Sequence, residues 1–372
     1  MSYPRLDRDA LKMKPLSERA NRVVFERDKV LPGAEAGVFA GADKKTIAEA
    51  VARIMNARRQ NRPVMLAFGA HLIKNCLSPV LVRLMEKGWV THLATNGAGV
   101  IHDWELAFQG ETSEDVGAGV ARGEFGNWEE TGFYINLAIN VGAFEGRGYG
   151  EAVGAFIGNE GLEIPAAAAL EAEAVKNLKP DPARAAAAAD LLEVVSRFDL
   201  KPGFMRVPHA FKHASAQAAA FRLGIPFTSH PMFGHDIIYN HGMNRGSAIG
   251  RAAERDFLAF AHGVSRLEGG VYMSVGSAVM SPMIFEKSFS MAQNLALQRG
   301  APIRNHYMMV VDIAESRWDW SRGEPPENTP DYYHRFCKTF NRMGGVMRYV
   351  SADNRGFLLA LLNGLEQLGR GC

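Results

Sequence analysis

The chain is poor in the features that announce metal, disulfide or membrane chemistry. Its three cysteines, Cys76, Cys337 and Cys372, form no CxxC pair in 372 residues, which leaves neither a cysteine zinc site nor a disulfide framework to expect. No run of about 18 uncharged apolar residues occurs, so no segment has the pattern of a membrane span. Residues 1–22 are polar and lack the apolar core of a signal peptide. Neither charge sign dominates, since 42 Lys and Arg against 40 Asp and Glu leave a net charge of +2. No basic block offers the clustered face that nucleic acid demands, and Arg53, Arg58, Arg59 and Arg62 lie in and just after a helical pattern, as on a solvated face. The GxGxxG, P-loop and HExxH patterns are missing as well. These absences set an expectation of a cytoplasmic protein with a small-molecule substrate and no metal, nucleic-acid or membrane partner.

What is present is ordinary globular material, 47% hydrophobic and 22% charged. Residues 1–43 are expected to form an irregular arm, and 44–372 a single α/β domain with an alanine-rich helical insertion at about 165–196, where helix propensity is high. Ile47, Val51, Ile54 and Met55 recur at helical spacing over 44–59. Val64-Met65-Leu66-Ala67-Phe68 is a continuous apolar run, the mark of a strand buried on both faces. Ser78 and Pro79 then open a helix that Gly88 stops. A strand over 90–94 runs into the turn Asn96-Gly97-Ala98-Gly99 and another helix. The same rhythm follows with helices over 214–223, 256–267 and 285–300 and strands over 225–228, 270–275 and 308–312. Residues 153–158 fit a further short strand or buried turn. Alternation of this kind predicts an open parallel sheet with helices on both faces, Rossmann-like in class.

Four predicted strand ends carry small or polar residues: Gly69-Ala70-His71, Thr95 to Gly99, Gly276-Ser277-Ala278, and Asp312 to Glu315. Ligands of open parallel sheets bind at the carboxyl ends of strands, where glycine admits a phosphate to backbone N–H groups and a helix N-terminus favours its charge. One glycine turn is equally a tight connection; four together point to a nucleotide or a similar anion. His102, Asp103 and Glu105 open the helix after Gly99; an acid there is also an ordinary dipole complement, whereas His102 could act in acid–base chemistry. His230, His235, Asp236 and His241 crowd a turn-rich segment suited to substrate contact or catalysis. Lys338 is either an exposed helix lysine or, if desolvated, an imine-forming nucleophile.

Phe68-Gly69-Ala70-His71-Leu72-Ile73, followed by Val90-Thr91-His92-Leu93-Ala94-Thr95-Asn96-Gly97-Ala98-Gly99-Val100-Ile101-His102-Asp103, resembles deoxyhypusine synthase. The resemblance implies a tetrameric α/β protein that holds NAD at subunit interfaces. It places Gly69, Ala70, Asn96, Gly97, Ala98, Asp103, Gly276, Ser277 and Ala314 along the cofactor, with His102 near the ribose. Lys338 matches the family's catalytic lysine and Asp236 its acid at the amine end; His235 or His102 is the expected base, and His230 and Ser281 are expected beside the substrate. The family's two polyamine-holding acids are replaced by Trp318 and Ser321, and the Trp-Gly before its lysine is missing. The expected activity is therefore NAD-dependent hydride transfer on a small amine or amino-alcohol, with imine formation and group transfer. The alternatives are a lyase or cyclodeaminase-type reaction that recycles NAD, and a non-catalytic nucleotide- or sugar-binding protein.

Overall fold

The computed structural model describes residues 3–369. They fall into two compact units: one gathers the chain up to residue 27 with 100–221 and 231–256, and the other gathers 28–99, 222–230 and the chain from 257 onward.

The second of these units holds six strands: β1 (Val64–Phe68), β2 (His92–Thr95), β3 (Phe227–Ser229), β4 (Val271–Val275), β5 (Tyr307–Asp312) and β6 (Val346–Ser351). They lie in the order β3-β2-β1-β4-β5-β6, and every pairing is parallel. The chain steps outward from β1 to β3, returns to lay β4 against β1, and steps outward the other way. Strand order thus reverses between β1 and β4, the point at which open α/β sheets form a ligand crevice. The expected fold class is the one observed. β1 and β4 are buried along their whole length, as strands covered on both faces must be. Against one face pack Phe260, Phe285, Phe340, Cys337 and Trp320, around Met65, Ala67, Tyr272, Met308 and Val310. Tyr272 stacks on Phe285 with ring centroids 4.2 Å apart. Each such fully buried large side chain contributes roughly 1.5–3 kcal/mol over its exposed state.

The other unit is mainly helical. Glu129–Glu145 and Tyr149–Asn159 form its buried centre, and Ala167–Asn177 with Pro182–Arg197 forms a helical hairpin. The second helix of the hairpin is capped by Asp181, which accepts from the Arg184 N–H at 3.0 Å. The stretch 153–158, expected as strand or turn, lies inside the Tyr149–Asn159 helix. The N-terminal segment is tied down by a two-residue strand, Val23–Val24, paired with Glu111–Thr112. Asn136, on the Glu129–Glu145 helix, donates to the Ile238 carbonyl at 2.8 Å and accepts from Asn244 Nδ2 at 2.9 Å. These bonds fix the loop that carries Asp236 and Tyr239. Among the described residues no helix is long and apolar enough to cross a membrane.

Candidate functional site

In the sheet-bearing unit, the carboxyl ends of the strands meet where the order reverses. Gly69 follows β1 and Gly276 follows β4. A Cβ on Gly69 would lie 2.1 Å from the Gly276 carbonyl oxygen, so only glycine lets the two strand ends close up. Gly276 adopts φ +58°, and a Cβ there would meet the Asn354 amide at 2.7 Å. Beside them β2 ends in Thr95, whose hydroxyl donates to the Phe68 carbonyl at 2.9 Å. A Cβ on Gly99 would strike that hydroxyl at 2.2 Å. The Gly97–Gln109 helix begins here, with Asn96 Oδ1 accepting the Gly99 N–H at 2.9 Å. A helix leaves its first N–H groups without intrahelical acceptors, and here Asn96 meets that of Gly99. Ala314 donates its N–H to Asp312 Oδ1 at 3.0 Å, just beyond β5. Val279 and Ile313, 62% and 77% exposed, are apolar side chains on the same rim. Glycine-lined backbone, a helix N-terminus and exposed apolar side chains at a switch point suit a dinucleotide. Gly69, Ala70, Asn96, Gly97, Ala98, Gly276, Ser277 and Ala314 all stand at these strand ends. One departure is plain: β2 ends in Thr95 and Asn96, where many dinucleotide sites carry an acid for the ribose.

Four residues expected near ligands have other occupations. Asp103 is fully buried and accepts from the Ser215 hydroxyl, from the Ala216 and Gln217 N–H groups at 2.8 and 3.1 Å, and from Gln217 Nε2 at 2.9 Å. It caps the Ala216–Leu223 helix, and no oxygen is left to face a cofactor. Ser281 is fully buried with its hydroxyl 2.8 Å from that of Tyr272, and its N–H donates to Ser277 Oγ at 3.2 Å. His230 lies 3.0 Å from the Thr228 hydroxyl, which His92 approaches at 3.1 Å from the other side. Burial holds both imidazoles down to about 3, so this trio is a neutral internal network. Lys338 places its ammonium 3.3 Å from the centre of the Tyr332 ring, a cation–π partner instead of a desolvated cavity.

A second chemical cluster lies in the helical unit. Asp236 is 8% exposed. Burial raises its carboxyl to about 7. The phenol of Tyr149 is fully buried and has no hydrogen-bond partner among the described residues. Tyr239 sits against the Asp236 carboxyl as its hydrogen-bond partner, and burial and that carboxyl both hold its proton on. Tyr149 feels Asp236, Tyr239 and Asp256. Phe233 stacks on Tyr239 at 4.4 Å. His235 is exposed, and His102 Nδ1 is 2.7 Å from the Thr112 hydroxyl. Tyr149 and Tyr239 were not among the expected site residues. The signal for Tyr239 was its spacing three residues after Asp236; Tyr149 had none. Among the described residues no group of three or more His, Cys, Asp or Glu is placed to hold a metal ion.

No protein-family model matches the chain, and no curated protein matches it. Similar solved structures include a conserved protein labelled LOR/SDH from Methanococcus maripaludis S2, with 15% identity over 91% of this chain and 74% of that one and a TM-score of 0.43. AgrE in its ternary complex with ornithine and NAD+ shows 12% identity over 90% of this chain, with a TM-score of 0.41. ArgZ, an arginine dihydrolase from the ornithine–ammonia cycle in cyanobacteria, shows 13% identity over 87% of this chain, with a TM-score of 0.40. The chain spans about a third of the length of AgrE and ArgZ, covering 34% and 33% of them. None of these three is a deoxyhypusine synthase.

Proposed function

We propose that the chain is an enzyme that binds a nicotinamide dinucleotide along the carboxyl edge of the six-stranded sheet and acts on a small amine-bearing substrate. The observation that carries this reading is the reversal of strand order between β1 and β4, with Gly69 and Gly276 in backbone contact there. A bound nicotinamide supplies a hydride acceptor and donor. Of the chain's own residues, Gly97 and Ala98 stand at the helix start beside a phosphate, and Val279 and Ile313 give apolar cover. Within the helical unit, Asp236 is a buried carboxyl near 7, suited to exchanging a proton at neutral pH.

Between the courses open to such an enzyme, the state of Lys338 favours one. Group transfer through a protein imine needs a desolvated lysine, and Lys338 is only partly buried over Tyr332. The favoured course is a lyase of the cyclodeaminase type, in which NAD is recycled within the turnover. A protein that only binds a nucleotide or sugar has no need of a buried carboxyl near neutrality. The test is turnover with NAD and amino acids, ornithine, which AgrE holds together with NAD+, among them. Ammonia release without lasting absorbance at 340 nm supports recycling. Accumulating NADH assigns a simple dehydrogenase instead, and a borohydride-trapped adduct on Lys338 restores group transfer.

A further inference from the structure

The two halves of the six-stranded sheet differ at their carboxyl edge. The order β3-β2-β1-β4-β5-β6 is that of two mononucleotide-binding halves that meet where the order reverses. In the usual arrangement the adenosine lies on the first half, where an acid at the end of the second strand holds the ribose hydroxyls. Here β2 ends without an acid. The Thr95 hydroxyl is spent on the Phe68 carbonyl, and Asn96 Oδ1 on the Gly99 N–H, both at 2.9 Å. The second half carries the parts that the first lacks. β4 runs into Gly276, a 19-residue helix follows over Met280–Gln298, and β5 ends in Asp312. β4 and β5 pair in parallel up to Val275 and Val311, and the Gly276 N–H donates to the Val311 carbonyl at 2.9 Å. Asp312 is therefore the neighbour of this glycine turn, across a strand spacing of about 4.8 Å. The Asp312 side chain is half-buried. Its Oδ1 accepts the Ala314 N–H at 3.0 Å, and its Oδ2 takes no hydrogen bond or ion pair among the described residues. Asp353, the acid just past β6, is spent on the Gly356 N–H at 2.9 Å.

We infer that a bound dinucleotide lies in the reverse sense, with its adenosine half over β4 and β5 and its ribose diol on Asp312, and that the site selects NAD over NADP. The inference rests on the proposed dinucleotide reading and deepens it. A ribose diol offers two O–H donors, and a carboxylate accepts them as charge-assisted hydrogen bonds. A 2′-phosphate replaces one of those donors with negative charge beside the carboxylate, and like charges at that distance repel. The residues after Asp312 are Ile313, Ala314, Glu315 and Ser316, with no cation to receive that charge before Arg317. Val279 after β4 and Ile313 after β5, both exposed apolar side chains, give the adenine ring its cover on this half.

Calorimetric titration of the full-length protein with NAD and with NADP tests this, with Asp312→Asn alongside. Asparagine keeps an oxygen to accept the Ala314 N–H, so the turn after β5 is preserved. The expected result is NAD bound about tenfold or more tighter than NADP, with Asp312→Asn weakening NAD about tenfold or more and narrowing the gap. The sense of binding is read by photolysis with 2-azido-NAD, which carries its azide on the adenine, and peptide mapping by mass spectrometry. The label is expected in the segment 313–323 after β5. If Asp312→Asn unfolds, the label and the comparison of NAD with NADP on the unsubstituted protein decide. Equal or tighter binding of NADP, an unchanged NAD affinity in folded Asp312→Asn, or a label in the segment 96–99 after β2 overturns the inference. A protein that binds NAD but is labelled after β2 keeps the proposed function and loses only this inference, whereas a protein that binds neither dinucleotide loses both.

Discussion

Replacing Arg19 by alanine probes the anchor of the N-terminal segment. Arg19 and Glu105 pair through two hydrogen bonds, Nη1 to Oε1 at 2.8 Å and Nη2 to Oε2 at 2.7 Å. Their side chains are 3% and 1% exposed. The Thr131 hydroxyl also donates to Glu105 at 2.9 Å, and the Thr112 hydroxyl completes the set. Burial alone would lift the Glu105 carboxyl; the Arg19 guanidinium, with His102 and the Thr112 hydroxyl, more than offsets it, leaving the pKa below the usual 4.5. Arg19→Ala leaves a buried carboxylate with two hydroxyl donors and, of the cations that lower it, only His102. Breaking a buried pair from one side costs about 3–5 kcal/mol, a loss of about 6–20 °C in melting temperature at about 2–4 °C per kcal/mol. The sign of the pH dependence is fixed too. In the unsubstituted protein the depressed pKa gives stability that is present above 4.5 and lost as pH falls through the folded value. In Arg19→Ala burial raises the pKa, so the contribution is present at low pH and lost as pH rises through the raised value. Thermal melts from pH 4 to 8 should show a deficit that is largest at neutral pH and shrinks toward pH 4. A deficit under about 1 kcal/mol, the ceiling for an exposed pair, or one indifferent to pH would refute the reasoning.

Asp103→Ala should cost about 2 kcal/mol or more in chemical denaturation, from a lost cap and several orphaned donors, while leaving dinucleotide affinity unchanged; a lost affinity with intact stability would return Asp103 to the cofactor. Gly69→Ala places a Cβ 2.1 Å from the Gly276 carbonyl and should cost about 1–3 kcal/mol as overpacking, with weakened dinucleotide binding in calorimetric titration. Asp236 titrates near 7 in the fold against 3.8 in the open chain. Its contribution is therefore present below 3.8 and lost as pH rises through about 7. Denaturant melts of Asp236→Asn should lack that decline, and a slope identical to the unsubstituted protein would exclude the assignment.

What was legible in the sequence follows from burial pattern. β1, β4 and β5 are continuous apolar runs, and their positions are close to those expected. β6 escaped because an edge strand has no such run: Arg348 and Tyr349 sit half-buried in its middle. The Tyr149–Asn159 helix was disguised by its glycines. Gly154 is there because a Cβ would stand 2.8 Å from the Gln217 carbonyl, a close helix approach that nothing local announces. Gly69 and Gly276 could be picked out as strand-end glycines, although their mutual contact could not. Asp103 was misassigned because its capping partners lie over 100 residues away; the bond to Ser215 spans 112 positions. Tyr149 was invisible because an unpartnered hydroxyl is a property of packing, and only the structure shows it.

The central claim is that the sheet edge at β1 and β4 takes a nicotinamide dinucleotide. It is tested most directly by denaturing the purified, unsubstituted protein, identifying released small molecules by mass spectrometry, and titrating NAD back by calorimetry, with Gly69→Ala alongside. The account predicts NAD or NADH, released from or rebound to the chain at one per chain, and weakened binding in Gly69→Ala. A protein that releases no dinucleotide and binds none when it is added back would contradict it.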